Sequence, residues 1–229
     1  MPTEYKLCSF KTCPWVHRAA IVLQEKGVDY DIEYIDRDNR PDWFLKISPH
    51  SKVPVLILDD EIALFESNAI AEYLDETIEP RLSPEDPIKR AQNRAWTDYV
   101  SIFSDITHLT NATDEADLAV RRENADQRFA KLEGALQLRG NDGPFFNGSD
   151  FSLVDAAYAP SLFRFTLFDR VYPIGLIEKY PLVQAWRDAL LTRPSVTKSV
   201  VPDFEDYWRE RLVVRGRWVA QYLGAAAAE

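Results

Sequence analysis

The sequence predicts an α/β N-terminal domain of order β-α-β-α-β-β-α followed by an all-α C-terminal domain, and three observations support this. Between residues 4 and 78 the hydrophobic period alternates between two and 3.6 residues. The stretch EPRLSPEDP from Glu79 holds three prolines in nine residues, which stops the preceding helix and marks a linker. Beyond Pro87 strand signals are sparse and helical periods dominate. The domains are therefore set at 1–79 and 87–229, joined by a linker at 80–86.

Each element has its own warrant. Residues 4–10, EYKLCSF, read as a short strand. Trp15, Val16, Ala19, Ala20, Val22 and Leu23 recur at helical spacing, and Gly27 stands where a helix C-terminal cap falls. Val28, Tyr30, Ile32 and Tyr34 then alternate with Asp29, Asp31 and Glu33, as in a half-exposed strand. A short helical link around Arg40-Pro41-Asp42-Trp43-Phe44 leads to VPVLILD, an Asp59-Asp60 turn and EIALF, a hairpin pattern. Ser67 is expected to cap a helix from Asn68 to Ile78. Asp86 and Pro87 suit the N-cap and first position of the next helix. Helices are expected at 87–109, 115–139, 153–168, 180–192 and 204–222, with a frayed AAAAE tail.

Composition excludes several function classes. Acidic residues outnumber basic ones 37 to 27, for a net charge of -10, and lysine and arginine are scattered along the chain, so nucleic acid and anionic lipid are not expected partners. No run approaches the roughly 18 apolar residues of a membrane span. The N-terminus has neither the basic start nor the apolar stretch of a secretory signal, so a cytoplasmic location is expected. Two cysteines are too few for a disulfide framework, and with three histidines they show no metal-ligand spacing; no metal is expected.

Three short motifs bear on chemistry. Cys13 lies between a strand and a helix that begins at Pro14. There the unpaired backbone N–H groups and the helix dipole are expected to lower its pKa, making it a nucleophile; a buried, inert thiol is the alternative. Cys8, in mid-strand, reads as core. Val16 occupies the place of a second cysteine, so any disulfide exchange must draw on an external thiol. Val53-Pro54 is either a cis bond that exposes backbone to an extended ligand or an ordinary strand-opening proline. Glu66-Ser67 is either a site for an ammonium and a carboxylate or a plain cap beside a solvated charge.

In order, Thr-Cys-Pro-Trp-Val-x-Arg, Arg-Pro-Asp-Trp-Phe, Ser-Pro-x-Ser-Lys-Val-Pro-Val-Leu and Phe-Glu-Ser-Asn-Ala-Ile-x-x-Tyr-Leu resemble the N-terminal domain of cytosolic glutathione transferases, most of all the cysteine-type omega class and similar bacterial members. Phe151-Ser152-Leu153-Val154-Asp155-Ala156-Ala157 looks like that family's capping box, and Tyr180-Pro181 with Trp186 and Arg193-Pro194-Ser195-Val196 are similar to its later helices. The resemblance implies a thioredoxin-like domain that binds glutathione as co-substrate, packed on a helical domain carrying an acceptor site.

Residue by residue, Cys13 matches the catalytic cysteine, and Val53, before a cis Pro54, matches the backbone that pairs with the cysteinyl part of glutathione. Glu66 and Ser67 match the γ-glutamyl binders. Arg40 stands where omega proteins usually have a lysine near the glycyl carboxylate, and Lys52 is a candidate for the same end. Ser51-Lys52 departs from the usual glycine-containing turn, and Trp15 replaces a frequent phenylalanine.

Trp15 is one candidate for the acceptor lining; Trp96, Tyr99 and Phe103, at i, i+3 and i+7, form a stripe that could face the cleft or the core. Phe163, Phe165, Phe168 and Tyr172 form a second aromatic group, and the amphipathic tail from Asp206 to Leu223 either covers the site or pads the domain. The implied activity is thiol transfer, dehydroascorbate-type reduction or removal of glutathione from adducts, with a small hydrophobic or disulfide second substrate and a homodimeric assembly. A non-catalytic binding protein, or a conjugating enzyme with Cys13 as bystander, are the alternatives.

Overall fold

Cys8 sits at the centre of the N-terminal half, with no exposed surface, on the strand β1 (Tyr5–Ser9) that organises it. The computed structural model describes residues 3–224, so the AAAAE tail lies outside the described residues. β1 pairs in parallel with β2 (Asp31–Tyr34) and antiparallel with β3 (Val55–Leu58), which pairs antiparallel with β4 (Ile62–Phe65). Among the described residues these form one four-stranded sheet of order β2-β1-β3-β4. A parallel pair needs a crossover, and α1 (Pro14–Glu25) supplies it. The register sets Cys8 opposite Val55, which brings the loop after β1 beside the residues that enter β3.

β2 is shorter than the alternation suggests. Gly27, at φ +65°, ends α1 with bonds from its own N–H to Gln24 O and from Val28 N–H to Leu23 O, both 3.0 Å. Val28 is thereby spent closing the helix, and pairing begins only at Asp31. A short α2 (Asp42–Ile47) follows, and α3 spans Ser67–Thr77. The expected Ser67 cap is corrected here: Glu66 is the N-cap, at φ +67° and ψ 120°, and Ser67 is the first helical residue. Strand and helix meet over that single residue, which adopts a backbone region L side chains rarely occupy, at a cost of about 1–3 kcal/mol.

In the helical half, α4 (Pro87–Phe103) starts as expected, with Asp86 Oδ1 accepting from Ile88 N at 2.9 Å and Lys89 N at 2.8 Å. It stops earlier than 109, because Ser104–Asn111 is a 3-10 helix. Hydroxyls at every third residue explain the change: Ser104, Thr107 and Thr110 donate to the carbonyls of Ser101, Ser104 and Thr107 at 2.8–2.9 Å. That spacing matches three residues per turn and competes with the α-helical ladder. α5 (Glu115–Leu138), α6 (Leu153–Val171), α7 (Pro181–Thr192) and α8 (Pro194–Thr197) follow. The final helix is divided: α9 (Phe204–Val214) ends at Gly216, φ +57°, and a 3-10 turn covers Trp218–Tyr222.

Polar ties join the two halves and fasten the linker. His17 Nε2 on α1 donates to Val196 O on α8 at 2.7 Å, and Arg193 forks onto Glu25 at 2.6 and 2.8 Å. Lys26 Nζ bonds Asp75 Oδ1 at 2.8 Å and the carbonyls of Ile78 and Pro80, with both charged side chains almost wholly buried. Burial pushes the Asp75 carboxyl up, but Lys26, Ser83 and the Leu82 N–H more than offset it, and its pKa is lowered. This pair fastens the linker to α1 and α3.

Candidate functional site

Two adjoining cavities meet at Trp15, Lys52 and Val53. One, of about 520 Å³, is lined by Val53, Pro54, Glu66 and Ser67, with Arg18 and Asp98 opposite. The other, of about 670 Å³, holds Cys13, Arg40 and Lys52. All seven residues matched to glutathione chemistry thus face one of two connected spaces, and Trp15 lies on the boundary.

Cys13 is the N-cap of α1, in extended backbone, with its N–H bonded to Phe10 O at 3.0 Å. Its Sγ lies 4.0 Å from Val53 O, and the Val53–Pro54 peptide bond is cis. The thiol departs from the expectation of a lowered pKa: burial pushes it up, and the N–H groups of Val16 and Trp15 with the charges of Arg164 and Arg37 only partly counter that. Cys8 is pushed up to about 11, by burial and then by Glu33, consistent with a core thiol.

Arg164 is the residue that sequence reasoning missed most plainly. It reaches from α6 to donate to Thr12 O at 3.1 Å, Pro160 O at 2.9 Å and His17 Nδ1 at 3.1 Å, and its guanidinium lies 5.0 Å from the Phe204 ring. Because His17 Nε2 donates to Val196 O, Nδ1 is the free acceptor and the ring is neutral. Burial, then the Arg164 charge, hold the His17 pKa down to about 3. Burial lowers Arg164 to about 10, and the Cys13 thiolate is the opposing charge that raises it. Among the described residues no carboxylate pairs with this guanidinium. Its only sequence signal was an arginine in a buried apolar helix.

The neighbouring cavity is also polar. Ser67 is buried, Glu66 is exposed, and Arg18 is 2% exposed with its Nε unpartnered among the described residues. Burial takes the Arg18 pKa down to about 10, against the pull of Glu72 and Asp98.

The α4 stripe faces the helical core. Phe103 has no exposed surface and packs on Phe129 and Tyr158, 5.7 and 5.0 Å between centroids. Trp96 lies edge-on to Tyr99 at 5.8 Å and against Phe146 at 6.1 Å, and Lys131 covers Tyr99. None of the three lines either cavity; from this region Thr97, Asp98 and Val100 face one and Thr107, His108 and Thr110 the other. Phe165 and Phe168 are likewise buried in the helical half. The tail does cover the site, because Trp208, Arg211, Leu212, Arg215 and Arg217 line the Cys13 cavity. Arginines scattered in sequence are gathered here by folding.

Among the described residues no group of histidine, cysteine, aspartate or glutamate could hold a metal ion, and no helix is long and apolar enough to cross a membrane.

Residues 12–77 match the family model for the glutathione S-transferase N-terminal domain, and residues 114–189 match that for its C-terminal domain. A probable glutathione S-transferase of Glycine max is 31% identical over 205 residues, covering 87% of this chain and 89% of the relative. Glutathione S-transferase omega-1 of Sus scrofa is 28% identical over 197 residues, covering 84% and 78%. The solved rice GST1, in complex with glutathione, matches with a TM-score of 0.79 at 26% identity, covering 93% of this chain and 96% of that one. The chain belongs to the glutathione S-transferase family.

Proposed function

We propose that this protein uses Cys13 as the attacking atom in glutathione-dependent thiol transfer or removal of glutathione from small adducts. The Cys13 thiolate attacks the glutathionyl sulfur of a disulfide, forming a Cys13–glutathione disulfide and releasing the other sulfur as a thiolate that takes a proton from solvent. A second glutathione thiolate then attacks the glutathionyl sulfur, releasing glutathione disulfide and restoring Cys13. No second cysteine is needed, in keeping with Val16 at the position where one would stand.

The observation that carries this proposal is Cys13 at the N-terminus of α1, close to Val53 O and facing the charges of Arg164 and Arg37. In this arrangement Val53 O and N–H pair with the cysteinyl backbone of glutathione. Arg40 and Lys52 take the glycyl carboxylate, Ser67 the γ-glutamyl carboxylate and Glu66 its ammonium. The rare backbone conformation of Glu66 fits a residue held in place for binding. The likeness to an omega-class relative supports the same chemistry. Incubation with glutathione disulfide followed by mass spectrometry is the test: one glutathionyl group at Cys13 is expected, and a protein that gains none there overturns the proposal.

The raised Cys13 thiol favours a second reading, in which glutathione's own thiolate attacks an electrophile and Cys13 only borders the site. Conjugating activity that persists or rises in Cys13→Ala would establish it. A homodimer is proposed with either reading, on family grounds, and sedimentation at twice the monomer mass is the expected result.

A further inference from the structure

We propose that the acceptor half of the Cys13 cavity selects a conjugated or aromatic substrate carrying carboxylate or sulfonate groups, rather than a neutral hydrophobic one. This rests on the thiol-transfer reading for its location and specifies the substrate class. In a chain of net charge -10, the cavity is lined by six arginines and Lys52, and by no aspartate or glutamate among the described residues. Five of those arginines, Arg37, Arg40, Arg211, Arg215 and Arg217, form no ion pair among the described residues, and Arg40 Nε is buried without a partner. Burial lowers the Arg215 pKa, and repulsion from Arg211, Arg37 and Arg217 adds to it, with Asp38 the one opposing charge. Like charges held together without ion pairs, and with a single opposing charge near Arg215, favour an anionic ligand.

Glutathione does not account for all of them. Its two carboxylates are matched by Ser67 in the neighbouring cavity and by Arg40 with Lys52, on N-terminal elements. Arg211, Arg215 and Arg217 come from α9 and the turn after it, and Arg37 from the loop after β2. The flat surfaces between them are aromatic: Arg37 and Arg40 lie 6.0 and 5.6 Å from the Phe10 ring, and Trp15 and Trp208 line the same space. Guanidinium forks bind carboxylates in a bidentate way, and rings stack on the aromatic walls.

The test compares matched probes on the native full chain and on Arg211→Gln/Arg215→Gln/Arg217→Gln. Cys13 is reacted without glutathione with 5,5′-dithiobis(2-nitrobenzoate), with neutral 4,4′-dithiodipyridine and with glutathione disulfide. The ratio of the carboxylated to the neutral aromatic rate is expected to fall by about tenfold or more in the variant, one lost charge-assisted contact being worth about that factor. Added 0.5 M sodium chloride should lower the native ratio in the same direction. An equal change with both aromatic reagents, or none, overturns the proposal. A fall confined to glutathione disulfide also overturns it, because the arginines then serve a second glutathionyl group.

Binding of anilinonaphthalene sulfonate against neutral N-phenyl-1-naphthylamine, followed by fluorescence, needs no reactive thiol. Preference for the sulfonate that is lost in the variant upholds the anion site even where Cys13 proves inert and the thiol-transfer reading fails. Equal binding of both dyes by the native chain overturns the site. Unchanged affinity for glutathione in the variant confirms that it is folded and that the peptide sites are intact.

Discussion

Cys13 carries two opposed influences, and their balance makes a measurable statement. Burial disfavours the thiolate, while two backbone N–H groups, Arg164 and Arg37 favour it, and burial prevails. Alkylation of Cys13 by iodoacetamide is therefore expected to rise with pH through the alkaline range, with a midpoint above the ordinary thiol value of about 8.5. Arg164→Met should move that midpoint higher and slow alkylation at pH 7 by about tenfold, since it removes the nearest buried positive charge. A midpoint well below 8 in the native protein would show that the helix terminus prevails instead. Cys13, Val53, Glu66 and Ser67 were legible in the sequence because short motifs place them at strand and helix ends. Arg164 was not, because a residue on α6 meets Cys13 only after the two halves pack.

At the scale of elements, the sequence read well wherever a local rule dominates. Asp86-Pro87 opens α4, and Gly27 ends α1. It read poorly where side chains compete with backbone, as in the Ser104–Asn111 segment, although hydroxyls at 101, 104, 107 and 110 already carried the period of three. The α4 stripe was left between cleft and core for a different reason: spacing shows that Trp96, Tyr99 and Phe103 share a face, but not which neighbour covers it.

The capping box of α6 was recognised, yet its reach was not. Asp155 accepts from Ser152 N at 2.8 Å, Phe146 N at 2.9 Å and Trp186 Nε1 at 2.6 Å, and is fully buried. Asp155→Ala strips partners from these three donors and from the Ser152 hydroxyl, and should cost about 3–5 kcal/mol, read as a shift in the urea midpoint. Asp155→Asn, which keeps an acceptor, should cost clearly less.

For the whole molecule, the seam between the two halves should set acid sensitivity. The unfolded chain protonates His17 below about pH 6.5, whereas the folded protein does so only near pH 3, with Arg164 facing the ring. The unfolded state therefore binds the extra proton between those values, and stability falls as pH falls, by up to about 1.4 kcal/mol per pH unit from this group. His17→Gln, which can still donate to Val196 O, should give a shallower loss of urea stability between pH 6.5 and 4.5. Identical slopes would mean that other groups govern the acid transition. The division into an α/β half and a helical half was legible from period and proline content alone. The convergence of Arg37, Arg164 and the tail arginines on one cavity was not, since it depends on contacts between residues more than 100 positions apart.

The role of Cys13 is tested most directly by a substrate panel run on the native protein and Cys13→Ala together, with glutathione in excess. Nucleophilic catalysis by Cys13 predicts loss of thiol transfer and of adduct deglutathionylation by about a thousandfold or more, with no gain from added glutathione. Thiol transfer retained in Cys13→Ala at near-native kcat/KM would contradict it.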